Sequence, residues 1–182
     1  MKRFALLILC LVAFATPALA LNGVGDISAY ADDQGNDCNI LAPGGGGLLH
    51  VYVVHKFQPG DEGTYCRFKG VWPTGLTFFS FSVGPYVSIG NFATDISVAY
   101  GTCQTTTVTV GDALFQTVTA SPTCSYFDLI AADGQATPLA TRCDFGEFEV
   151  GVGQGIVNPD GTCQCTIATE PTSWGKVKAL YR

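Results

Sequence analysis

The residues best suited to chemistry are two histidines, His50 and His55, in the run LLHVYVVHKF at Leu48–Phe57. Imidazole ligates metals and exchanges protons near neutral pH. Four glycines precede the run, which is rich in β-branched and aromatic residues and therefore predicts a strand. Because the side chains of a strand alternate between two faces, histidines at these positions are expected on opposite faces. The spacing argues against a metal ion shared by both.

The alternation also predicts different environments for the two faces of this strand. One face is almost purely apolar and is expected to face a core; it carries Leu49, Val51, Val53, His55 and Phe57. His50 is then a surface residue, beside Tyr52 and Lys56. His55 is expected at the edge of the core, with a hydrogen bond to its ring nitrogen. Neither histidine has a motif-level serine or cysteine partner for catalysis.

Two acidic side chains, Glu147 and Glu149, flank Phe148 in a predicted strand and share one face. Paired carboxylates hydrolyse glycosidic bonds when they converge on a cleft. Adjacent glutamates on one strand more often form a solvated face that limits aggregation. The sequence also lacks the G-x-S-x-G motif of serine hydrolases. We therefore predict no catalytic residue, no cofactor and no enzyme activity, and a secreted hydrolase is the least favoured of three functional hypotheses.

An oxygen-rich loop, DDQGND at 32–37, contains the candidate metal ligands of the chain. Asp32, Asp33 and Asp37 carry the hard oxygen atoms that calcium prefers. Their spacing differs from that of an EF-hand loop, and an ordinary turn requires the same residue types. The turn is the favoured interpretation of this loop, and a calcium site is the alternative.

Seven cysteines remain once Cys10 is assigned to the signal peptide described below: Cys38, Cys66, Cys103, Cys124, Cys143, Cys163 and Cys165. In an exported protein they favour disulfides over a zinc site. Cys163 and Cys165 lie two positions apart on a predicted strand, at the upper limit of disulfide geometry, so a bond between them is not expected. One of them is expected to pair with a distant cysteine such as Cys143. The unpaired thiol is expected to be the other, or else Cys66.

The N-terminal residues predict export. Lys2 and Arg3 precede an apolar run, Phe4–Phe14, and Ala18-Leu19-Ala20 forms an A-x-A cleavage site. A signal peptide over residues 1–20, cleaved near Ala20, implies a secreted or periplasmic protein. No other apolar run is long enough to span a membrane.

The remaining chain, residues 21–182, is acidic. Without Lys2 and Arg3 it holds 7 of the 9 basic residues against 15 acidic ones, a net charge of −8. Such a surface is unsuited to nucleic acid. Strand-like segments separated by turns recur about nine or ten times, with no helical period before the end. The pattern predicts one domain over residues 21–171, an all-β antiparallel β-sandwich that is immunoglobulin-like in the broad sense.

The C-terminal segment 172–182 has a different pattern. Trp174, Val177 and Leu180 recur at helical spacing, which predicts a short amphipathic helix. The segment also carries three of the seven basic residues of the mature chain. Two interpretations are open: a helix docked on the sandwich, or a detachable recognition or sorting tail.

Aromatic side chains supply a second functional hypothesis. Tyr52, Trp72 and Tyr86 are the candidate residues of a ligand surface on which a sugar ring could stack. Aromatic residues also build sandwich cores, and at 12% aromatic content most of them must be buried. A carbohydrate-binding module is therefore the alternative to the first hypothesis, which is a non-catalytic structural or interaction module.

Four motifs carry a resemblance to known exported proteins. They are AYGTC at Ala99–Cys103, CSYF at Cys124–Phe127, NPDGTCQC at Asn158–Cys165 and the ending TSWGKVKALYR. With these motifs the chain resembles, over most of its mature length, small secreted disulfide-bonded β-domain proteins of uncultivated bacteria that have no assigned function. The resemblance implies a disulfide-bonded β domain and no particular activity. The expected partner is a protein or glycan at the cell exterior.

Overall fold

A computed structural model describes residues 24–165 of the chain. Within this range all regular secondary structure is β-strand. The described residues include no helix with the length and hydropathy required to cross a membrane. The predicted signal peptide, the end of the predicted domain at residue 171 and the predicted C-terminal helix lie outside the described residues.

Between residues 24 and 165, thirteen strands form two sheets. In chain order they are β1 (Asp26–Tyr30), β2 (Asn39–Ile40), β3 (Leu48–Lys56), β4 (Gly63–Val71), β5 (Leu76–Ser82), β6 (Val87–Asn91), β7 (Asp95–Gln104), β8 (Val108–Thr117), β9 (Ser125–Ile130), β10 (Leu139–Thr141), β11 (Glu147–Glu149), β12 (Gly151–Val152) and β13 (Gly155–Val157). The first sheet has the order β12-β1-β3-β8-β5. The second has the order β11-β10-β4-β9-β13-β2, and β7 pairs with the other side of β4 and with β6.

The predicted all-β sandwich is confirmed. Residues of both sheets form one buried cluster, among them Val53 and Phe115 of the first sheet and Phe68 and Phe127 of the second. Most strand pairs are antiparallel, as predicted, whereas β1–β12 and β2–β13 are parallel. Both parallel pairs involve a two-residue strand, which is too short for side-chain alternation to reveal it.

Strand β3 contains both histidines, and its alternation is as predicted. Val51 and Val53 are fully buried in the core between the sheets. Their neighbour Val54, at a register shift against β8, is buried in a second, smaller cluster with Tyr30 and Cys38. Both faces of this strand are therefore covered near its C-terminal end, whereas Leu48 at its start is exposed.

The centre of the core is aromatic. Phe92, in the turn between β6 and β7, is 1% exposed and stacks on Phe81 with ring centroids 4.5 Å apart. Trp72 lies nearly parallel to Phe92, at 6.1 Å and 7°. Gly70 of β4 makes room for this group, because a Cβ at that position would overlap the Phe92 ring. The Gly70 N–H also donates to the Phe92 carbonyl at 2.8 Å, which ties the turn to β4.

The predicted final strand, Thr162–Ile167, is wrong in its described part. Residues 161–163 form a turn instead of a strand. Asp160 Oδ1 accepts hydrogen bonds from the Thr162 N–H at 2.7 Å and from its hydroxyl at 2.6 Å. Such local side-chain bonds compete with strand pairing for the backbone donors.

Three disulfides join six cysteines: Cys38 to Cys165, Cys103 to Cys143, and Cys124 to Cys163. The prediction that Cys163 and Cys165 do not bond each other is confirmed. The prediction that one of them pairs with a distant cysteine is confirmed, at sequence separations of 127 and 39, but the example Cys143 is wrong, because Cys143 is bonded to Cys103. The reason is topological: Cys103 lies near the end of β7 and Cys143 follows β10, and these two strands flank the same part of β4.

Among the cysteines that the structure describes, Cys66 is the unpaired thiol. It was the second of two predicted candidates, and the first, a member of the Cys163 and Cys165 pair, is wrong because both are bonded. Burial raises the pKa of the Cys66 thiol to about 12. Since the thiolate is the reactive species, we expect iodoacetamide to leave the folded mature protein unlabelled. After unfolding without reductant, intact mass is expected to show a single label; labelling of the folded protein would contradict this arrangement.

Candidate binding surface

The two histidines lie on opposite sides of the first sheet, as predicted. His50 is exposed on the outer side, where its Nδ1 lies 2.7 Å from Asp112 Oδ2 of β8. His55 is fully buried between the sheets. Its Nδ1 lies 2.8 Å from the Tyr100 hydroxyl, and its Nε2 contacts the Val24 carbonyl. The two imidazoles therefore have entirely separate partners.

The hydrogen bonds of the buried imidazole define its tautomer. The Val24 carbonyl only accepts, so His55 Nε2 carries the proton and Nδ1 accepts from the Tyr100 hydroxyl. The Tyr100 hydroxyl also interacts with the Cys66 thiol. Desolvation lowers the pKa of His55 to about 4, which keeps the ring neutral at physiological pH. This network joins β3, β4 and β7 across the two sheets and has a structural role.

The two glutamates considered as a catalytic pair lie in the open. Glu147 and Glu149 are exposed on β11, a strand of three residues at the margin of the second sheet. They stand opposite Thr141 and Leu139 of β10. Glycosidases place their two carboxyl groups on either side of the bond that is cleaved. A single open strand does not provide that arrangement.

The loop at 32–37 is a turn built on one carboxylate. The side chain of Asp32 accepts from the backbone N–H groups of Gln34, Asn36 and Asp37. These hydrogen bonds are those of an Asx turn, and a turn is the favoured interpretation of this loop. Asp32, Asp33 and Asp37 do not place their ligand atoms within 4.8 Å of one another.

Two other groups of potential ligands contain disulfides. Glu62 lies with Cys103 and Cys143, and Asp160 lies with Cys124 and Cys163, with all ligand atoms of each group within 4.8 Å. A metal-binding cysteine must be a thiolate, and these sulfur atoms are bonded to each other. Each group is therefore a disulfide with a neighbouring carboxylate in the oxidised protein.

The three aromatic residues predicted to form a ligand surface lie in three different neighbourhoods. Tyr52 stacks on His50 on the outer side of the first sheet. Trp72 packs on the aromatic core between the sheets. Tyr86 meets Tyr100 edge to face, with ring centroids 5.3 Å apart. The structure does not bring these three rings together.

A surface that the sequence did not predict lies on the second sheet, and we call it the outer face. Two rows of directly opposed residues cross this sheet from β6 through β7, β4 and β10 to β11. Opposed residues share a face of a sheet. The first row is Val87, Ala99, Tyr65, Thr141 and Glu147; the second is Ile89, Ser97, Arg67, Leu139 and Glu149.

The outer face is apolar at one margin and acidic at the other. Val87 and Ile89 are 67% and 76% exposed on β6, whereas Glu147 and Glu149 stand at the far margin. Four strand spacings separate the margins, a distance of roughly 19 Å. The two margins of the outer face therefore differ in their chemistry.

A groove of about 630 Å³ opens along the first row. Its walls include Tyr65, Ala99 and Thr141, and the Cys103–Cys143 disulfide lies beside them. The Tyr65 hydroxyl is held by a 2.7 Å hydrogen bond to Ser97, which fixes the ring on the sheet. The groove is rigid because strand residues and a disulfide line it.

Phe145 lines the same groove and is the most exposed large apolar residue among the described residues, at 82%. Its φ is +67°, a conformation that is uncommon for a residue with a side chain. The loop holds this geometry through two backbone hydrogen bonds, from Phe145 N–H to Arg142 and from Arg142 N–H to Gly146. The aromatic ring is thus presented to solvent by a hydrogen-bonded loop next to a disulfide.

The basic residues on and around the outer face are paired. Arg67 pairs with Asp95, Lys69 with Asp133, and Arg142 with both Glu62 and Asp144. The Arg67 guanidinium lowers the pKa of Asp95, so this pair stays charged. With these cations neutralised, the exposed Glu147 and Glu149 give the surface an acidic character.

One sequence signal could have indicated this surface. The segment Val87–Asn91 alternates apolar residues with small or polar ones, which is typical of a strand with one buried face. That pattern does not reveal that the apolar face is exposed. The rows become visible only when strands distant in sequence are paired.

Comparisons with known proteins give a fold likeness and no family. No protein-family model and no characterised protein matches this sequence. Similar solved structures include the sixth cohesin of scaffoldin B from Acetivibrio cellulolyticus, in complex with a Cel5 dockerin (12% identity, 76% of this chain, 100% of that chain, TM-score 0.48). They also include the seventh ScaB type I cohesin from Pseudobacteroides cellulosolvens (13%, 80%, 97%, 0.48) and a non-cellulosomal cohesin from Archaeoglobus fulgidus (12%, 75%, 91%, 0.46). No conclusion about function follows from similarities of this size.

Proposed function

We propose that this protein is a non-catalytic interaction module that binds another protein through its outer face. The observation that carries the proposal is the exposure of Val87, Ile89 and Phe145, three large apolar side chains on and beside one sheet surface. Contiguous exposed apolar surface rimmed by polar residues marks interaction sites. The groove lined by Phe145, Tyr65 and Ala99 is the proposed place for an apolar anchor of the partner.

The charges of the outer face define the second half of the partner's chemistry. Glu147 and Glu149 call for lysine or arginine on the partner, because complementary charge orients an encounter and raises its rate. The partner is therefore a protein that presents an apolar side chain and a basic group roughly 19 Å apart, the separation of the two margins.

The cell exterior is the proposed location of this binding. Three disulfides are typical of an oxidising compartment, extracellular or periplasmic. The predicted signal peptide agrees with that location. The paired or buried state of both histidines and the open position of Glu147 and Glu149 support a role without catalysis.

The proposal is tested by capture from the source organism's extracellular fraction on immobilised mature protein. Three versions are compared: the unaltered chain, Ile89→Asp and the control Val118→Asp. Val118 is 53% exposed outside the outer face, so it matches Ile89 in chemistry. We expect the same protein on the unaltered chain and on the control, and at least about tenfold less on Ile89→Asp, since loss of a large apolar contact in an interface costs about 2 kcal/mol.

Equal capture by all three versions would contradict the proposal. Thermal unfolding of each version shows that the substitutions leave the fold intact. Binding of the unaltered chain to a glycan array, without a captured protein, would instead favour the carbohydrate-binding alternative.

A further inference from the structure

Strand β6 forms a free edge of the second sheet. It pairs with β7 along all five of its residues without a register shift, and within residues 24–165 it pairs with no other strand. In an antiparallel pair, residues alternate between pointing both backbone groups at the partner strand and pointing both away. About half of the N–H and C=O groups of β6 therefore face away from β7.

The other margins of the sandwich carry protection that β6 lacks. Strands β2 and β12 have two residues each, and β11 is short and carries two glutamates. Strand β5 is longer, but a register shift between Phe78 and Ser80 interrupts its ladder. Short length, charge and irregular pairing are the usual means by which proteins prevent strand addition. Strand β6 contains no charge and no proline, and all its residues are exposed.

We propose that β6 accepts an extended segment of the partner polypeptide as an additional strand of the second sheet. This inference rests on the proposed function and names the form in which the partner binds. An added strand can form hydrogen bonds with the free N–H and C=O groups of an edge, because its own N–H and C=O groups point to that edge at every second residue. The strand addition places the partner next to Val87 and Ile89, from which it can continue across the outer face.

The side chains of β6 specify the sequence of that segment. Val87 and Ile89 project on the outer face, so β-branched or aromatic residues are expected opposite them. Ser88 and Gly90 alternate with them and favour small or polar residues on the other side. The net charge of −6 on the full chain favours a segment that is uncharged or basic.

A second copy of this chain is a poorer occupant of the edge. Two β6 strands would pair over a length of roughly 17 Å. The area buried by so short a pairing is much smaller than the roughly 1,200 Å² or more that a stable interface buries. Each copy also brings the same negative charge, which opposes association. A flexible segment can gain further area on the outer face without bringing a whole acidic domain with it.

The test uses the mature full chain and a synthetic probe of alternating valine and threonine with a lysine at each end. Amide hydrogen exchange is read by NMR at Val87, Ser88 and Ile89. Gly90 is left out of the readout because it has a positive φ beside the turn. At about 1 mM probe we expect exchange to slow about tenfold or more at alternate residues, those whose N–H points away from β7. A matched probe N-methylated at every valine and threonine lacks the backbone donors on both of its edges and is expected to have no effect.

The possible outcomes separate this inference from the proposed function. Unchanged exchange, uniform slowing, or an equal effect of the N-methylated probe would overturn strand addition. Slow exchange, before the probe is added, at the residues whose N–H points away from β7 would also overturn it. If that protection is independent of protein concentration, it identifies a segment of the same chain as the occupant; if it rises with concentration, it identifies a second copy. Loss of capture on Ile89→Asp without alternate protection would leave the proposed function standing, with the partner docked by side chains alone.

Discussion

Replacing Phe92 by alanine is expected to lower the free energy of unfolding by about 3–5 kcal/mol, the range for removing a buried phenylalanine. Its ring is 1% exposed and stacks on Phe81, Trp72 and other aromatic side chains between the sheets. The cavity is expected to stay open, because a hydrogen bond from the Gly70 N–H of β4 to the Phe92 carbonyl holds the backbone at this position in place. Chemical denaturation measured by fluorescence gives the change directly.

The matched control for this prediction is Phe79→Ala. Phe79 is 53% exposed at the register shift in β5, so its removal creates no closed cavity. We expect a loss of less than about 1 kcal/mol, as for other exposed positions. Equal losses for Phe79→Ala and Phe92→Ala would show that the aromatic group is not the centre of the core.

Lowering the pH from about 6.5 to 4 is expected to cost about 3 kcal/mol of stability through His55 alone, at 1.36 kcal/mol for each unit of pKa difference. Burial lowers the pKa of His55 to about 4 in the folded protein, against 6.5 in the unfolded chain. The unfolded chain therefore takes up a proton first as the pH falls. The part of the stability that comes from the neutral His55 is fully present above pH 6.5 and is lost progressively as the pH falls to the folded-state pKa of about 4.

The variant His55→Gln isolates this effect, since glutamine does not titrate. We expect the variant to be less stable at neutral pH but to lose less stability than the unaltered protein between pH 6.5 and 4, measured by denaturant unfolding. Carboxylates titrate in the same range in both proteins, so their contribution cancels in the comparison. Identical pH profiles for His55→Gln and the unaltered protein would contradict the buried neutral imidazole.

The part of the fold that could be predicted depends on local patterns. In β3 the alternation of apolar residues placed Val51, Val53 and His55 inside and His50 outside, as the structure shows. The loop that contains Asp32 was recognised as a turn because aspartate bonds its own backbone in such loops. In each case the deciding interaction lies within a few residues along the chain.

The features that escaped prediction depend on contacts between distant residues. Cys103 finds Cys143 only because β7 and β10 flank β4, a topology that spacing does not encode. The final strand was predicted across Thr162, where the bonds of the Asp160 side chain instead make a turn. The exposed position of Ile89 depends equally on its being at an edge of the sheet, since the same alternation would suit a buried strand.

The most direct test of the outer face as a protein-binding surface is site-specific photo-crosslinking. A photoreactive amino acid is placed at position 89 in one sample and at position 118 in another, and both are irradiated in the source organism's extracellular fraction. We expect a discrete crosslinked protein from position 89, which disappears on competition with unmodified chain, and none from position 118. Discrete crosslinks from position 118 with none from position 89 would contradict it.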